Sequence, residues 1–265
     1  MRQETDWVAD WQAWRAAREE RLRDPRGFLA VTGLHWLSAT PQRFHDVPGT
    51  WSQSPGGVVL TVDDDEAMTI SGRPLRGTTA IGPVDPTGLT IEFGEGLVEV
   101  AERFGRTLLR PRHPDSPTLR AYTGTPSYAP DLRWVLEGRL EAYEQPRPVG
   151  VETVVEGMTG TLEARGEVVF TADRRPQRLV ALTDPDAPDE LWLLFTDETN
   201  GVTTYAAGRQ FAADLPTSGD RVVLDFNRAV NLPCAYTDFA ACPLPPARNH
   251  VDVLVEAGER VPPGR

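Results

Sequence analysis

Cys234, Cys242 and His250 stand at eight-residue intervals in one stretch, DFNRAVNLPCAYTDFAACPLPPARNHVDVLVEAGE, residues 225–259. Thiolate and imidazole are zinc ligands, but a structural zinc site wants about four, and no fourth stands at metal-site spacing. The expectation is no metal and no cofactor. A disulfide between the two cysteines is geometrically open, yet a chain without an export signal belongs in a reducing compartment, so free thiols are expected. As a nucleophile Cys234 needs a base, and His35 or His250 serves only if the fold brings it close. His35, in GLHWL, sits between apolar residues. It reads either as a half-buried imidazole satisfied by the backbone or as a general acid/base working near neutral pH. His45 and His113 lie in turn-like stretches and carry weaker signals.

Arginine is the other chemical resource. All 27 basic side chains are Arg and none is Lys, which excludes Schiff-base chemistry, a P-loop lysine and a lysine general base. Any anion recognised here is held by Arg, by backbone N–H groups or by neutral donors. Arg209, in YAAGRQF, lies on an expected strand, and Arg110 and Arg112 flank Pro111. An inward guanidinium must be paired, either with a carboxylate such as Asp225, Glu256 or Glu259 or with a ligand. Tyr205, Arg209, Asn227 and Glu256 would together line a small-molecule site at a barrel mouth. Asp225, Arg228, Asn249 and Asn231 have the same two readings, as ligand contacts or as side chains that fix a restricted loop.

The net charge of −12 argues against nucleic acid and anionic membranes as partners, because phosphate-rich surfaces are bound by basic faces. No apolar run approaches the roughly 20 residues that span a bilayer. The opening MRQETDWVADWQAWRAAREERL is charged from its second residue and lacks a signal-peptide core, so the chain reads as cytoplasmic.

The elements that must position these groups follow from periodicity. Trp7, Trp11, Trp14 and Ala17 recur at three- and four-residue spacing, predicting a helix over residues 6–22 with Arg and Glu on its other face, ended by Asp24-Pro25-Arg26-Gly27. GFLAVTGLHWLSAT suits a strand-turn packed beneath that helix. From residue 48 onward, short runs rich in Val, Ile, Thr and Leu alternate with Gly, Pro and Asp clusters, and RWVLEGRLEAY shows clear period-2 alternation. Asp63-Asp64-Asp65 reads as a solvated turn. The fold class is therefore mainly β, an antiparallel barrel or meander-like sheets with one N-terminal helix. The expected organisation is residues 1–47 packed on a β-rich body of residues 48–265, with two sub-barrels dividing near 145–160. Beyond Asn227-Arg228, Pro233, Pro243, Pro245 and Pro246 lack backbone donors, so the chain must run as a loop with extended pieces.

With those elements placed, GR…LDFNRAVNLPCAY…CPLPPARN…AGE, together with WRAAREERLRDPRGFLAVTGLHWL, resembles the bacterial family catalogued as domain of unknown function 1684. Val230 and Leu232 stand where that pattern carries Tyr and Pro, which alters packing more than chemistry. The resemblance implies no activity. Neither G-x-S-x-G nor H-E-x-x-H occurs. The expectation is a protein that binds a small polar or anionic molecule in a pocket closed by the 225–259 loop. The alternative is a hydrolase-type enzyme using Cys234 or His35.

Overall fold

The computed structural model describes residues 2–84, 87–184 and 187–265. The opening helix runs Arg2–Leu22 and stops short of Pro25, whose ring and missing N–H cannot continue it. A 3.6-residue period carries Trp7, Trp11, Trp14, Arg18 and Leu22 along one side, with Trp11 and Leu22 buried. Ala17 falls off that stripe and is exposed. Arg15 and Arg18, expected outward, turn inward because a buried carboxylate, Glu259, receives both. Among the described residues no helix is long and apolar enough to cross a membrane.

The chain separates into two compact units. The larger gathers residues up to Glu19, Gly124–Tyr236 and Ala241–Arg265; the smaller holds Glu20–Thr123 and Thr237–Ala240. Both are built of antiparallel sheet.

In the larger unit the strands pair in the order Arg221–Asp225, Val135–Glu152, Thr159–Ala172, Arg175–Asp184, Ala187–Asp197, Arg209–Asp214 and Val230–Asn231. His250–Val251 adds in parallel to Ala187–Asp197. The middle of this order is the expected meander. No closed barrel is found: the hydrogen-bonded path has two ends among the described residues. Alternation sends Leu179 and Ala181, Leu191, Leu193 and Phe195, and Phe211 and Ala213 into one core. Phe226 sits among four other aromatic rings, with centroids 6.4 Å from Trp134, 5.7 Å from Phe170, 5.3 Å from Phe195 and 4.7 Å from Phe211. The strand expected around YAAGRQF begins only at Arg209. Tyr205 lies in the preceding turn, where Gly208 takes a positive φ of 97° and a Cβ would stand 2.6 Å from the Phe195 carbonyl oxygen.

In the smaller unit one sheet runs His35–Trp36, Arg106–Arg112, Gly96–Arg103, Leu89–Phe93, Met68–Ile70 and Arg73–Leu75. A second runs Gln42–Phe44, Val47–Ser54, Gly57–Val62 and Gly77–Ile81. Their shared core is centred on the fully buried Trp51, with Leu60, Ile91, Val98, Val100 and Leu109. The acidic triplet is a turn: Glu66 closes it by accepting from Asp63 N at 2.9 Å and pairs with Arg43. Before these sheets, GFLA forms the 3-10 turn Phe28–Ala30, and only His35–Trp36 of the following apolar run is strand.

Candidate functional site

The closing segment is a loop, as its prolines require, punctuated by the 3-10 turns Phe226–Arg228 and Pro233–Ala235. Three buried polar residues fix it. Arg209 begins its strand on the inward face and is 0% exposed. Its guanidinium donates to Asp197 Oδ2 at 2.8 Å, to the carbonyls of Val255 and Glu259 at 3.0 and 3.2 Å, and to that of Ala257. It therefore reads out the backbone of 255–259 while its charge is met by a single equally buried carboxylate. Asp197 is held in turn by the Thr199 amide and hydroxyl at 2.8 and 2.6 Å and by Val255 N at 3.2 Å.

Asn249 behaves like a strand residue inserted sideways. Its amide exchanges two bonds with Val180, accepting from N at 2.8 Å and donating to O at 3.0 Å, and donates to Leu194 O at 2.8 Å. Asn227 does the same to Asp131, with bonds of 2.9 and 3.0 Å, and also donates to Asp225. Its carbonyl takes the Trp11 indole N–H at 3.0 Å. Glu259, 1% exposed, accepts from Arg15, Arg18, Asn231 N and the Tyr236 hydroxyl.

The remaining sequence candidates are dispersed. Arg228 is partly exposed beside Asp225 at 3.4 Å. Glu256 is 54% exposed and lies 3.8 Å from Arg133. Tyr205 donates to the Cys234 carbonyl at 2.9 Å. Burial and the neighbouring Cys234 push the Tyr205 hydroxyl up to about 12. Both cysteines are free and buried, and the Cys234 amide donates to Cys242 Sγ at 3.3 Å. The Cys242 side chain, hydrogen-bonded to Cys234, lowers the Cys234 thiol against the opposing effect of burial. His250 instead faces Thr196 and Glu198. No group of three or more His, Cys, Asp or Glu arranged to hold a metal occurs among the described residues. His35 belongs to the smaller unit, where its Nε2 meets Asp46 Oδ1 at 2.6 Å and its ring stacks on Phe44. Gly33 permits that approach, since a Cβ there would stand 2.2 Å from Asp46 Oδ2.

Arg209, Asn227 and Asn249 thus pack the closing segment onto the sheet, and the outer side of that segment walls a cleft. The cleft has a volume of about 660 Å³. Trp134, Leu136, Ala172 and Val253 form its apolar lining, and Arg133, Arg175, Asp173, Glu198, Asp252 and Glu256 its polar one. Trp134 is 6% exposed, and its indole N–H is buried without an acceptor. Asp173 and Arg174 form the hairpin turn at its edge with φ of 45° and 62°, a left-handed geometry that favours Asn-Gly. Of the sequence candidates only Glu256 lines this cleft. Reasoning from motifs passed over Trp134 and Asp173, and the one available signal was an Asp-Arg pair in TADRRP where a tight hairpin would prefer glycine.

The family described as "Protein of unknown function (DUF1684)" matches residues 120–260. The chain belongs to this family. The DUF1684 match includes the whole closing segment, its three polar braces and every residue lining the cleft. Among solved structures, the solution NMR structure of an uncharacterised protein of Haloarcula marismortui is similar at 29% identity. It covers 56% of this chain and 83% of its own, with a TM-score of 0.46. Comparison with curated proteins gave no match.

Proposed function

We propose that the protein binds a small polar molecule in the cleft between Trp134, the Asp173–Arg175 turn and Asp252–Glu256. The observation that carries this reading is the Trp134 indole N–H, a buried donor with no acceptor in the wall of a cleft large enough for a metabolite. Leaving such a donor unpaired costs about 1–3 kcal/mol, a cost that favours a small shift of the cleft wall by which a ligand acceptor reaches it. An apolar floor with a few polar groups around it is the usual make-up of such sites. Four carboxylates face two guanidiniums across the lining, so a hydroxyl-rich or partly cationic ligand fits better than an anion. Arg209, Asn227 and Asn249 act as positioning residues that hold the wall. A reducing, cytoplasmic setting belongs to the same reading; titration of unfolded protein prepared without reductant is expected to give two thiol groups.

Thermal-shift screening against a library of polar metabolites tests the site, with wild type compared to Trp134→Phe. That change keeps the ring and removes only the donor. The expected result is a hit whose shift falls by more than half in the variant, while the unliganded melting temperature stays level or rises. Equal shifts in both proteins for every hit, or no hit at all, would overturn the reading.

A further inference from the structure

The closing segment holds a second piece of chemistry that the cleft does not use. Cys234 lies in the 3-10 turn Pro233–Ala235. Cys242 opens a stretch whose backbone is tied to residues 152–154, through Val154 N to the Cys242 carbonyl at 3.0 Å and Leu244 N to the Glu152 carbonyl at 2.8 Å. Both cysteines thus stand on hydrogen-bonded backbone, and neither is in a disulfide. The Cys234 amide donates to Cys242 Sγ at 3.3 Å. With that N–H pointed at the sulfur, backbone bond lengths put the Cys234 Cα about 4 Å from Cys242 Sγ. That is about the separation that the bond lengths and angles of a formed disulfide produce. A bond between the two sulfurs therefore asks for side-chain rotation more than for backbone movement.

A neutral thiol is a weak acceptor, and an ionised acceptor makes the stronger bond, so a buried amide N–H spent on sulfur favours negative charge on the pair. The Cys242 side chain, and after it the Tyr205 hydroxyl and the Arg265 guanidinium, hold the Cys234 thiol below its ordinary value, while burial acts the other way. Thiolate is the form that reacts with oxidants, and a second thiol within reach turns the first product into a disulfide. The two cysteines are nearly but not wholly covered, at 5% and 6% exposed, where the nearby Ala235 and Asn231 are at 0% and 1%. That leaves an approach for a molecule little larger than water and none for a bulky one.

We infer that Cys234 and Cys242 form an oxidisable dithiol, a site at which hydrogen peroxide is reduced and a reversible disulfide is made across residues 234–242. The Cys234 sulfur attacks one peroxide oxygen, the O–O bond breaks, and the other oxygen leaves as water with the thiol proton, giving a sulfenic acid. The Cys242 sulfur then displaces the sulfenic hydroxyl, which takes the second thiol proton and leaves as a second water. Two electrons pass from the dithiol to the peroxide, and an external dithiol reductant returns them. The site rests on no residue of the cleft, and its resting state is the pair of thiols.

The test exposes the reduced, folded full chain to a small excess of hydrogen peroxide, traps the remaining thiols with N-ethylmaleimide in denaturant, and maps the peptides by mass spectrometry. Both alkylation sites are expected to disappear together, with a Cys234–Cys242 cross-linked peptide in their place and full recovery on adding dithiothreitol. Cys242→Ser removes the resolving sulfur and is expected to accumulate a dimedone-reactive sulfenic acid at Cys234. In Cys234→Ser the remaining thiol is expected to react at least about tenfold more slowly than the wild-type pair. The wild-type cross-link needs neither variant to fold. Thiols that stay reduced, oxidation without a cross-link, or a cross-link only between chains would each overturn the inference. So would a folded Cys242→Ser with no sulfenic acid, or a folded Cys234→Ser that reacts as fast as wild type.

Discussion

Two charged hubs in this molecule follow opposite rules. At Arg209 one guanidinium meets one carboxylate, both wholly buried, and its two Nη groups also donate to backbone carbonyls, while the Nε–H meets no acceptor. At Glu99 one carboxylate meets three guanidiniums, all partly exposed. A matched, dry pair reads as a brace, because losing either member strands a charge in the core. A partly exposed cluster in which several guanidiniums share one carboxylate has little to lose from a single substitution, because the other partners remain and solvent screens the charges. Burial and stoichiometry together separate the two, where the presence of arginine alone does not.

The sharpest way to break this contrast is Arg209→Ala. Stranding Asp197 is expected to lower unfolding free energy by about 3–5 kcal/mol, measured by denaturant titration. A loss below about 1 kcal/mol would mean the hub is no brace. Asn249→Ala comes next, at about 2–4 kcal/mol, since it leaves Val180 N–H and the carbonyls of Val180 and Leu194 without their bonds. Arg112→Gln is expected to cost no more than about 1 kcal/mol, because Glu99 keeps Arg110 and Arg103. A cost comparable to that of Arg209→Ala would erase the distinction between the hubs.

The smallest effect is in pH. Burial alone would raise the Glu99 carboxyl, but Arg110, Arg112 and Arg103 hold it below the usual carboxylate range. Its folded value is therefore lower than its unfolded one. The resulting stability is complete above the ordinary carboxylate value and disappears as pH falls through the lowered folded value. Melting curves of wild type between pH 7 and pH 3 are expected to show an acid-side loss that is reduced in Glu99→Gln. Parallel curves would deny the three arginines any hold on that group.

The helix, the antiparallel sheets and the irregular closing segment were legible because their causes are local: tryptophan spacing, Val/Ile/Thr runs and prolines without donors. The brace roles were half legible. Arg209 plainly needed a carboxylate, but the one it uses, Asp197, ends the neighbouring strand inside DETNG and reads from sequence as a turn acid. Pairing across strands depends on register, which alternation in a single strand does not fix. For the same reason Arg110 and Arg112 were visible as a pair while their convergence on Glu99 was not. The division of the chain at Thr123 and Gly124 is unmarked by any shift in composition. Inward-turned Arg15 and Arg18 broke the polar-out rule because their partner lies 244 and 241 positions away.

Those long separations have a kinetic side. The helix is made well before its partner, so its charged face waits for Glu259, and the strand Val135–Glu152 waits for Arg221–Asp225 before its outer edge is covered. Until then Trp11, which ends against the Asn227 carbonyl, is an exposed indole on a nascent chain. Contacts so far apart in sequence slow folding, since loop-closure entropy must be met before the contacts form, and unpaired edges are open to aggregation in the interval. The chain is thus expected to refold slowly from denaturant, with Trp11 fluorescence changing in the same phase that consolidates the 225–259 segment rather than in an early helical one.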